Sequence, residues 1–171
     1  MTFGMMMLTS ACAAGRGTPD SAAASNTSDS TSTAAANAGL DTLNAHVAHA
    51  YATYDSRAYG ALYTDNGQFE WSATPTVRGH DGLEKMAAEL WPPLKELGLV
   101  LNVASRQISQ DHATEFGAFQ ESWRDSTGGR TTEYGRYVTL NTRQPDKTWR
   151  IEHFFGFEDS TRHAPPAVKH P

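Results

Sequence analysis

Carboxylate and imidazole side chains are the groups in this sequence that could move a proton. His153 lies among aromatic residues near the end of the chain, where a neutral imidazole could act as a general base or as a hydrogen-bond donor. Asp65 precedes the first predicted strand, and a carboxylate beside an apolar pocket could take a proton from the carbon next to a carbonyl. Each has a structural alternative. His153 could be a core histidine satisfied by one partner, and Asp65 could belong to an ordinary Asp-Asn-Gly turn.

Tyrosine hydroxyls are the natural partners of such a base. Tyr51 and Tyr54 share the apolar stripe of a predicted helix, and Tyr63 ends the next one. A hydroxyl at these places could orient a carbonyl substrate and stabilise a developing enolate. Tyrosines on helix faces also serve as packing residues. We predict Tyr54 as a catalytic residue together with His153 and Asp65.

Further residues are predicted to contact a substrate. Glu70 and Trp71 are neighbours on a short strand, so alternation alone does not say which of them points inward. Arg136 stands between apolar neighbours and is either an anion anchor in a pocket or a snorkelling surface residue. The predicted substrate-binding set is Tyr51, Tyr63, Glu70, Trp71, Trp91, Phe116, Arg136 and Phe155.

The last predicted strand has two chemically different faces. Because successive side chains of a strand point to opposite faces, the more apolar set should face the core. That set is Trp149, Ile151, His153, Phe155 and Phe157, and the opposite set is Arg150, Glu152 and Phe154.

Helices precede strands in the folded part of the chain. Apolar residues recur at three- and four-residue spacing from Leu40 to Tyr54, which predicts a helix with one apolar stripe. Asp55 offers a cap for a short second helix over residues 57–63, and residues 68–72 resemble a strand. Asp81 is expected to cap a third helix that Pro92 and Pro93 stop.

Beyond residue 98 the apolar period becomes alternating. Residues 99–108, 113–124, 131–143 and 149–157 read as four long strands, joined by short segments with turn chemistry. Such connections predict an antiparallel meander. Helices first and strands afterwards indicate the α+β class, with the helices packed on one face of a curved sheet.

Composition divides the chain into four parts. Residues 1–12 contain the sequence Leu-Thr-Ser-Ala-Cys, which resembles a bacterial lipoprotein signal and predicts lipidation of Cys12. The alternative is an unmodified cytoplasmic N-terminus with a free cysteine. Residues 13–39 are expected to form a disordered linker, 40–158 the domain and 159–171 a disordered tail. A lipidated chain would lie in the cell envelope or be secreted.

Charge and motifs also exclude some partners. The net charge of −5 gives no basis for binding nucleic acid. The sequence contains neither a glycine-rich phosphate loop nor a set of ligands with metal-binding spacing. We expect no cofactor and no metal.

The element order and several local motifs resemble the nuclear transport factor 2-like superfamily, in particular its SnoaL-like members. Residues 62–69 (LYTDNGQF) are similar to the segment that ends the second helix and begins the first strand of that family. Residues 78–83 (RGHDGL) are similar to its glycine turn before the third helix. The ending of residues 145–151 (PDKTWRI) matches the family pattern except that Lys147 stands where glycine is usual.

This resemblance implies a conical pocket and a hydrophobic small-molecule partner. Family members include ketosteroid isomerases, cyclases and dehydratases, as well as many proteins with no known reaction. It therefore implies either a cofactor-free isomerase, cyclase or dehydratase acting on a carbonyl compound, or a non-catalytic ligand-binding or scaffold module. Many relatives form homodimers, so a homodimer is also expected.

Overall fold

The computed structural model describes residues 21–72 and 74–166, with side chains from residue 32 onward. Cys12 and the lipoprotein-like segment lie outside the described residues. The elements are α1 (Ser21–Thr53), α2 (Ser56–Ala61), β1 (Tyr63–Trp71), β2 (Val77–Arg78), α3 (Gly79–Leu90), β3 (Lys95–Ser109), β4 (His112–Arg124), β5 (Arg130–Arg143) and β6 (Trp149–Ala164).

Helix α1 packs on the sheet through the predicted stripe, which is longer at its N-terminal end than the sequence indicates. Leu40, Leu43, Val47 and Ala50 are buried, and so is Ala36 one turn earlier. The helix begins at Ser21, inside the predicted linker 13–39. Alanine is the best helix former, and this segment is rich in it, so propensity together with packing of Ala36 extends the helix.

Helices α2 and α3 begin in different ways. The Asp55 side chain accepts a hydrogen bond from the Ala58 backbone N–H at 2.8 Å, which confirms it as the cap of α2. The prediction that Asp81 caps α3 is wrong. The helix starts at Gly79, with Arg78 at the cap position and no side-chain cap bond, so the cap lies three residues before Asp81, which is in the first turn. Its negative charge in the first turn still interacts favourably with the helix dipole and stabilises α3.

Six strands form one curved, unclosed sheet in the order β2-β1-β6-β5-β4-β3. Strands β3 to β6 form the predicted antiparallel meander. Strand β1 joins this meander through parallel pairing with β6. The predicted α+β architecture, with the N-terminal helices on one face of a curved sheet, is therefore confirmed.

Two strand boundaries differ from the expected ones. Residues 65–67, expected in a turn, belong to β1, which carries an irregularity between Tyr63 and Gln68. Strand β6 continues to Ala164 and pairs with β5 as far as Arg130, so residues 159–164 of the predicted tail are part of the sheet. Backbone pairing, which composition does not reveal, holds these residues in place.

Within the described ranges, no helix has both the length and the apolar character needed to cross a membrane.

Candidate active site

A cavity of about 670 Å³ lies between the helices and the concave face of the sheet. Helix α1 contributes Asn44, Val47 and Tyr51 at a spacing of three and four residues, which places them on one face of the helix. Strands β4 and β5 form the opposite wall, and α3 borders the mouth. The volume falls in the usual range for small-molecule pockets, and the lining is mostly apolar.

Three tyrosine hydroxyls meet at one wall of the cavity. The Tyr59 and Tyr63 hydroxyl oxygens are 2.9 Å apart, and the Tyr51 ring packs edge-on against that of Tyr59. Burial raises the pKa of Tyr59 to about 12, although its interactions with Tyr63 and Tyr51 act in the opposite direction. Burial likewise raises the pKa of Tyr51 and of Tyr63 well above the usual value. All three therefore remain protonated at neutral pH and can donate hydrogen bonds.

Two carboxylates lie side by side on the cavity face of neighbouring strands. Glu121 on β4 is the register partner of Glu133 on β5. Burial raises the pKa of Glu121 to about 7, and the neighbouring Glu133 charge adds to the increase. Burial and Glu158 raise the pKa of Glu133, while His163 opposes the rise. Among the described residues, neither Glu121 nor Glu133 has a hydrogen-bond or ion-pair partner.

Aromatic rings form the walls around these polar groups. Phe119 and Trp123 lie two residues to either side of Glu121 on the same face of β4. Trp91 packs against Tyr51 with ring centroids 4.7 Å apart, and Trp71 packs against Phe119 at 5.2 Å. The polar groups therefore lie in a cavity lined largely by aromatic rings.

Glycines beneath two of the rings make this packing possible. A Cβ atom at Gly135 would come within 2.4 Å of the Phe119 ring, and one at Gly156 within 2.3 Å of Trp71. Each glycine is the register partner of the ring it accommodates. The rings can thus lie flat across the sheet and shape the cavity.

A buried polar network fixes α1 against the sheet beside the cavity. The Glu115 carboxylate accepts hydrogen bonds from Tyr137 at 2.7 Å, Asn44 at 2.8 Å and Arg106 at 2.6 Å. Arg106 also pairs with Asp41 of α1 at 2.7 Å. Burial and the bond to Glu115 raise the pKa of Tyr137, so its hydroxyl stays protonated. Because Glu115 is fully partnered, we regard this network as structural.

Four predicted site residues come together in the cavity. Tyr51, Tyr63, Trp71 and Trp91 all line it. Trp71 rather than Glu70 points inward, which settles the ambiguity of their adjacent positions on β1.

The predicted inward face of β6 is wrong beyond Ile151. Leu140 pairs with His153, whereas the next residue of β5, Asn141, pairs with Ile151, so Glu152 is an extra residue in the ladder. Such a bulge reverses the alternation. Phe154 consequently lines the cavity, while His153 stacks on Phe155 at 5.5 Å outside the lining.

The two other predicted catalytic residues also lie outside the lining. The Asp65 side chain is 88% exposed and accepts a 2.8 Å hydrogen bond from, or forms an ion pair with, His80. The Tyr54 hydroxyl accepts a hydrogen bond from the Leu97 backbone N–H at 3.0 Å. Both side chains connect neighbouring elements of the fold, Asp65 by its contact with His80 of α3 and Tyr54 by its bond to β3, so structural roles account for them.

Four predicted substrate-binding residues are absent from the cavity lining for related reasons. Phe116 and Phe155 are both register partners of Val138 on the outer face of the sheet. Arg136 forms a two-pronged ion pair with the exposed Asp159. Glu70 faces away because its neighbours Phe69 and Trp71 take the cavity side.

Sequence reasoning missed the carboxylate pair and Tyr59. Alternation places Glu121 and Trp123 on one face of β4. The pair is not predictable without the register between β4 and β5, which brings Glu133 next to Glu121. Tyr59 lies in the short helix α2, where six residues show no clear period.

Within residues 21–72 and 74–166, no cluster of three or more His, Cys, Asp or Glu side chains has a geometry that could hold a metal ion.

Solved structures with the same fold place the chain among known proteins. It is similar to a ketosteroid isomerase-like protein from Erwinia carotovora atroseptica, with 19% identity over 72% of this chain and 95% of the other, at a TM-score of 0.63. A hexachlorocyclohexane dehydrochlorinase, LinA-type3 from Novosphingobium barchaimii, shares 14% identity over 81% of this chain and 97% of its own, at 0.69. A Mycobacterium tuberculosis protein of unknown function shares 20% identity over 71% of this chain and 70% of its own, at 0.64.

No family model and no curated protein matches the sequence. Identities of this size establish the fold and leave the activity to be argued from the cavity. The cone, the six-stranded sheet and the packing of the helices on its concave face agree with these structures. The chain therefore has the nuclear transport factor 2-like fold shared by ketosteroid isomerase-like and SnoaL-like proteins.

Proposed function

We propose that the cavity binds a hydrophobic small molecule and that Glu121 transfers a proton to or from it without a cofactor. The observation that carries the proposal is an unpartnered carboxylate in an apolar cavity, close to three tyrosine hydroxyls. With a pKa of about 7, Glu121 is present in both acid and base forms at neutral pH. A general acid–base group is most effective under that condition.

The tyrosine cluster would complement the base. Tyr59 and Tyr63 carry two O–H groups, and the bond between them uses one, so the other remains to donate to a substrate oxygen. Glu121 would remove the proton from the carbon next to a carbonyl, and the electron pair would move to the oxygen as an enolate. The free hydroxyl would stabilise that oxygen. Returning the proton to another carbon gives isomerisation, and loss of a neighbouring leaving group gives elimination.

The solved structures with this fold are consistent with a small-molecule role. They include a ketosteroid isomerase-like protein and a hexachlorocyclohexane dehydrochlorinase. The apolar walls of the cavity fit such molecules better than a peptide or nucleic acid.

Exchange of carbon-bound hydrogen tests the proposal without knowledge of the natural substrate. We would follow deuterium incorporation into 2-tetralone, a bicyclic ketone small enough for the cavity, by proton NMR in deuterated buffer. We expect the protein to accelerate exchange, and Glu121→Gln to lower the rate by about 100-fold or more, the usual contribution of general base catalysis. Glu152→Gln removes an equal charge from the exposed side of β6 and should change nothing. Equal rates with and without the protein would exclude proton transfer on this ketone class.

A second candidate function is assembly into a homodimer through the outer face of the sheet. Phe116, Val138 and Phe155 form a continuous apolar row across β4, β5 and β6. Phe157 and Leu140 extend it, and Phe157 is 48% exposed. Exposed apolar surface arranged in this way is typical of protein interfaces.

The row predicts self-association that charge would disrupt. Sedimentation equilibrium of the full chain should give the mass of a dimer, and Phe155→Lys should give the mass of a monomer. Thr132→Lys, on β5 away from the row, is the matched control and should remain dimeric. A monomer at concentrations near 100 μM for the unsubstituted chain would contradict the assembly role.

A further inference from the structure

The charges that line the cavity are unevenly distributed by sign. Glu121 and Glu133 lie within it, and Glu89 lies at the mouth, where it pairs with Lys85 at 3.9 Å. Lys85 is the cationic side chain in the described part of the lining, and it is 75% exposed. The described part of the lining is thus acidic, and its cationic side chain, Lys85, is largely exposed and paired with Glu89.

The surroundings of the two carboxylates suit a positive charge in a second way. Phe119 and Trp123 flank Glu121 on β4, and Trp71 packs against Phe119. The faces of such rings carry negative potential and attract cations, tryptophan most strongly. Carboxylates and ring faces act together in sites for organic ammonium ions.

The cross-strand register makes the carboxylate pair costly without a ligand. Two like charges directly opposite on neighbouring strands destabilise a sheet. Near Glu133, the His163 side chain acts to lower the pKa of Glu133, while Glu158 acts to raise it. On the side of Glu121, the neighbouring titratable groups are Tyr51 and Tyr59, which are neutral at physiological pH. A cation between the carboxylates would relieve the repulsion.

We propose that the molecule bound in this cavity carries a protonated amine or quaternary ammonium group, which is held between Glu121 and Glu133 and the rings of Phe119, Trp71 and Trp123. This inference rests on the proposed function and specifies its substrate class. The same acidic lining disfavours carboxylate and phosphate compounds. An ammonium group nearer Glu133 would also favour the ionised form of Glu121, so that ligand binding leaves Glu121 ready to accept a proton.

A set of three probes that differ in charge tests the inference. They are 1-adamantanemethylamine, 1-adamantanemethanol and 1-adamantanecarboxylate, which share one compact hydrocarbon cage and carry charges of plus one, zero and minus one at pH 7.5. Affinities of the full chain would be measured by titration calorimetry. We expect the amine to bind at least tenfold more tightly than the alcohol, and the carboxylate to bind most weakly. The double variant Glu121→Gln with Glu133→Gln should reduce the affinity for the amine to that for the alcohol and leave the affinity for the alcohol unchanged. Glu152→Gln should retain the preference.

The calorimetry also gives an independent signature. Binding of the amine should release protons from the carboxylate pair, so its apparent enthalpy should differ between Tris and phosphate buffers at pH 7, and that of the alcohol should not. Equal affinities for the amine and the alcohol, or tightest binding of the carboxylate, would overturn the cation inference while leaving the proposed cavity function intact. Absence of binding by all three probes would overturn both. A preference for the amine that survives in the double variant would overturn the assigned site.

Discussion

Glu121 combines a functional position with a cost in stability. Its carboxyl is buried beside Glu133, and the pKa of Glu121 is about 7 in the folded chain against an ordinary value of 4.5. Natural proteins keep such groups where they serve chemistry. The strain of holding two facing carboxylates is therefore itself an indication of the site.

This raised pKa predicts a specific dependence of stability on pH. Between pH 4.5 and 7 the folded chain retains the Glu121 proton that the unfolded chain releases. The contribution of Glu121 to the free energy of unfolding is therefore fully present below pH 4.5 and is lost as the pH rises to 7. We expect Glu121→Gln to flatten this decline and to be more stable than the unsubstituted chain at pH 8. Urea unfolding from pH 4.5 to 8 measures both effects, and a variant that is less stable at pH 8 would contradict the assignment.

Part of the cavity lining is predicted from the sequence. Tyr51, Tyr63, Trp71 and Trp91 are predicted to contact a substrate, and all four line the cavity. His153 was assigned to the wrong face because one extra residue in β6 reverses the alternation. The bulge depends on how β6 pairs with its partner strand, so it cannot be predicted from the sequence of β6 alone.

The helices and strands follow the periodicity of the sequence closely. The way in which distant strands pair follows it less closely. The change from helical to alternating period predicted the meander, and short turns predicted its antiparallel pairing. Parallel pairing of β1 with β6 joins residues about 85 positions apart, and no local pattern specifies such a contact.

The turn between β5 and β6 contains a residue that its backbone disfavours. Lys147 has a φ of 73°, in the left-handed region that glycine adopts most readily. We expect Lys147→Gly to increase the free energy of unfolding by about 0.5–1 kcal/mol because glycine adopts this conformation without strain. Urea denaturation should show a higher midpoint with an unchanged slope.

A matched substitution in the preceding turn should act in the opposite direction. Gly128 has a φ of 87° between β4 and β5, so Gly128→Lys should lower the midpoint. Stabilisation by both substitutions would show that backbone conformation does not govern these turns.

The folded unit is larger than the domain predicted from composition. Ala36 is buried, Asn37 binds Arg106 at 3.2 Å, and β6 pairs with β5 up to Ala164. A chain limited to residues 40–158 lacks these contacts at both ends.

Two fragments would measure what these ends contribute. We expect residues 40–158 to unfold at a temperature at least about 5 °C lower than residues 32–166, because loss of several kcal/mol shifts the midpoint of a domain this size by that amount or more. Thermal unfolding followed by circular dichroism gives both midpoints. Identical midpoints would show that residues 40–158 contain the whole folded domain.

Strand β1 reaches the meander through β6, the last strand in the described part of the chain. During synthesis, the segment that carries Tyr63, Phe69 and Trp71 emerges from the ribosome long before the strand that it must pair with. The cavity can therefore close only after β6 has been synthesised, and until then its aromatic rings are available to chaperones or to other chains. A premature stop before residue 149 would remove β6 and with it the connection between the two halves of the cone, so the truncated product should be cleared by proteolysis rather than persist with partial activity.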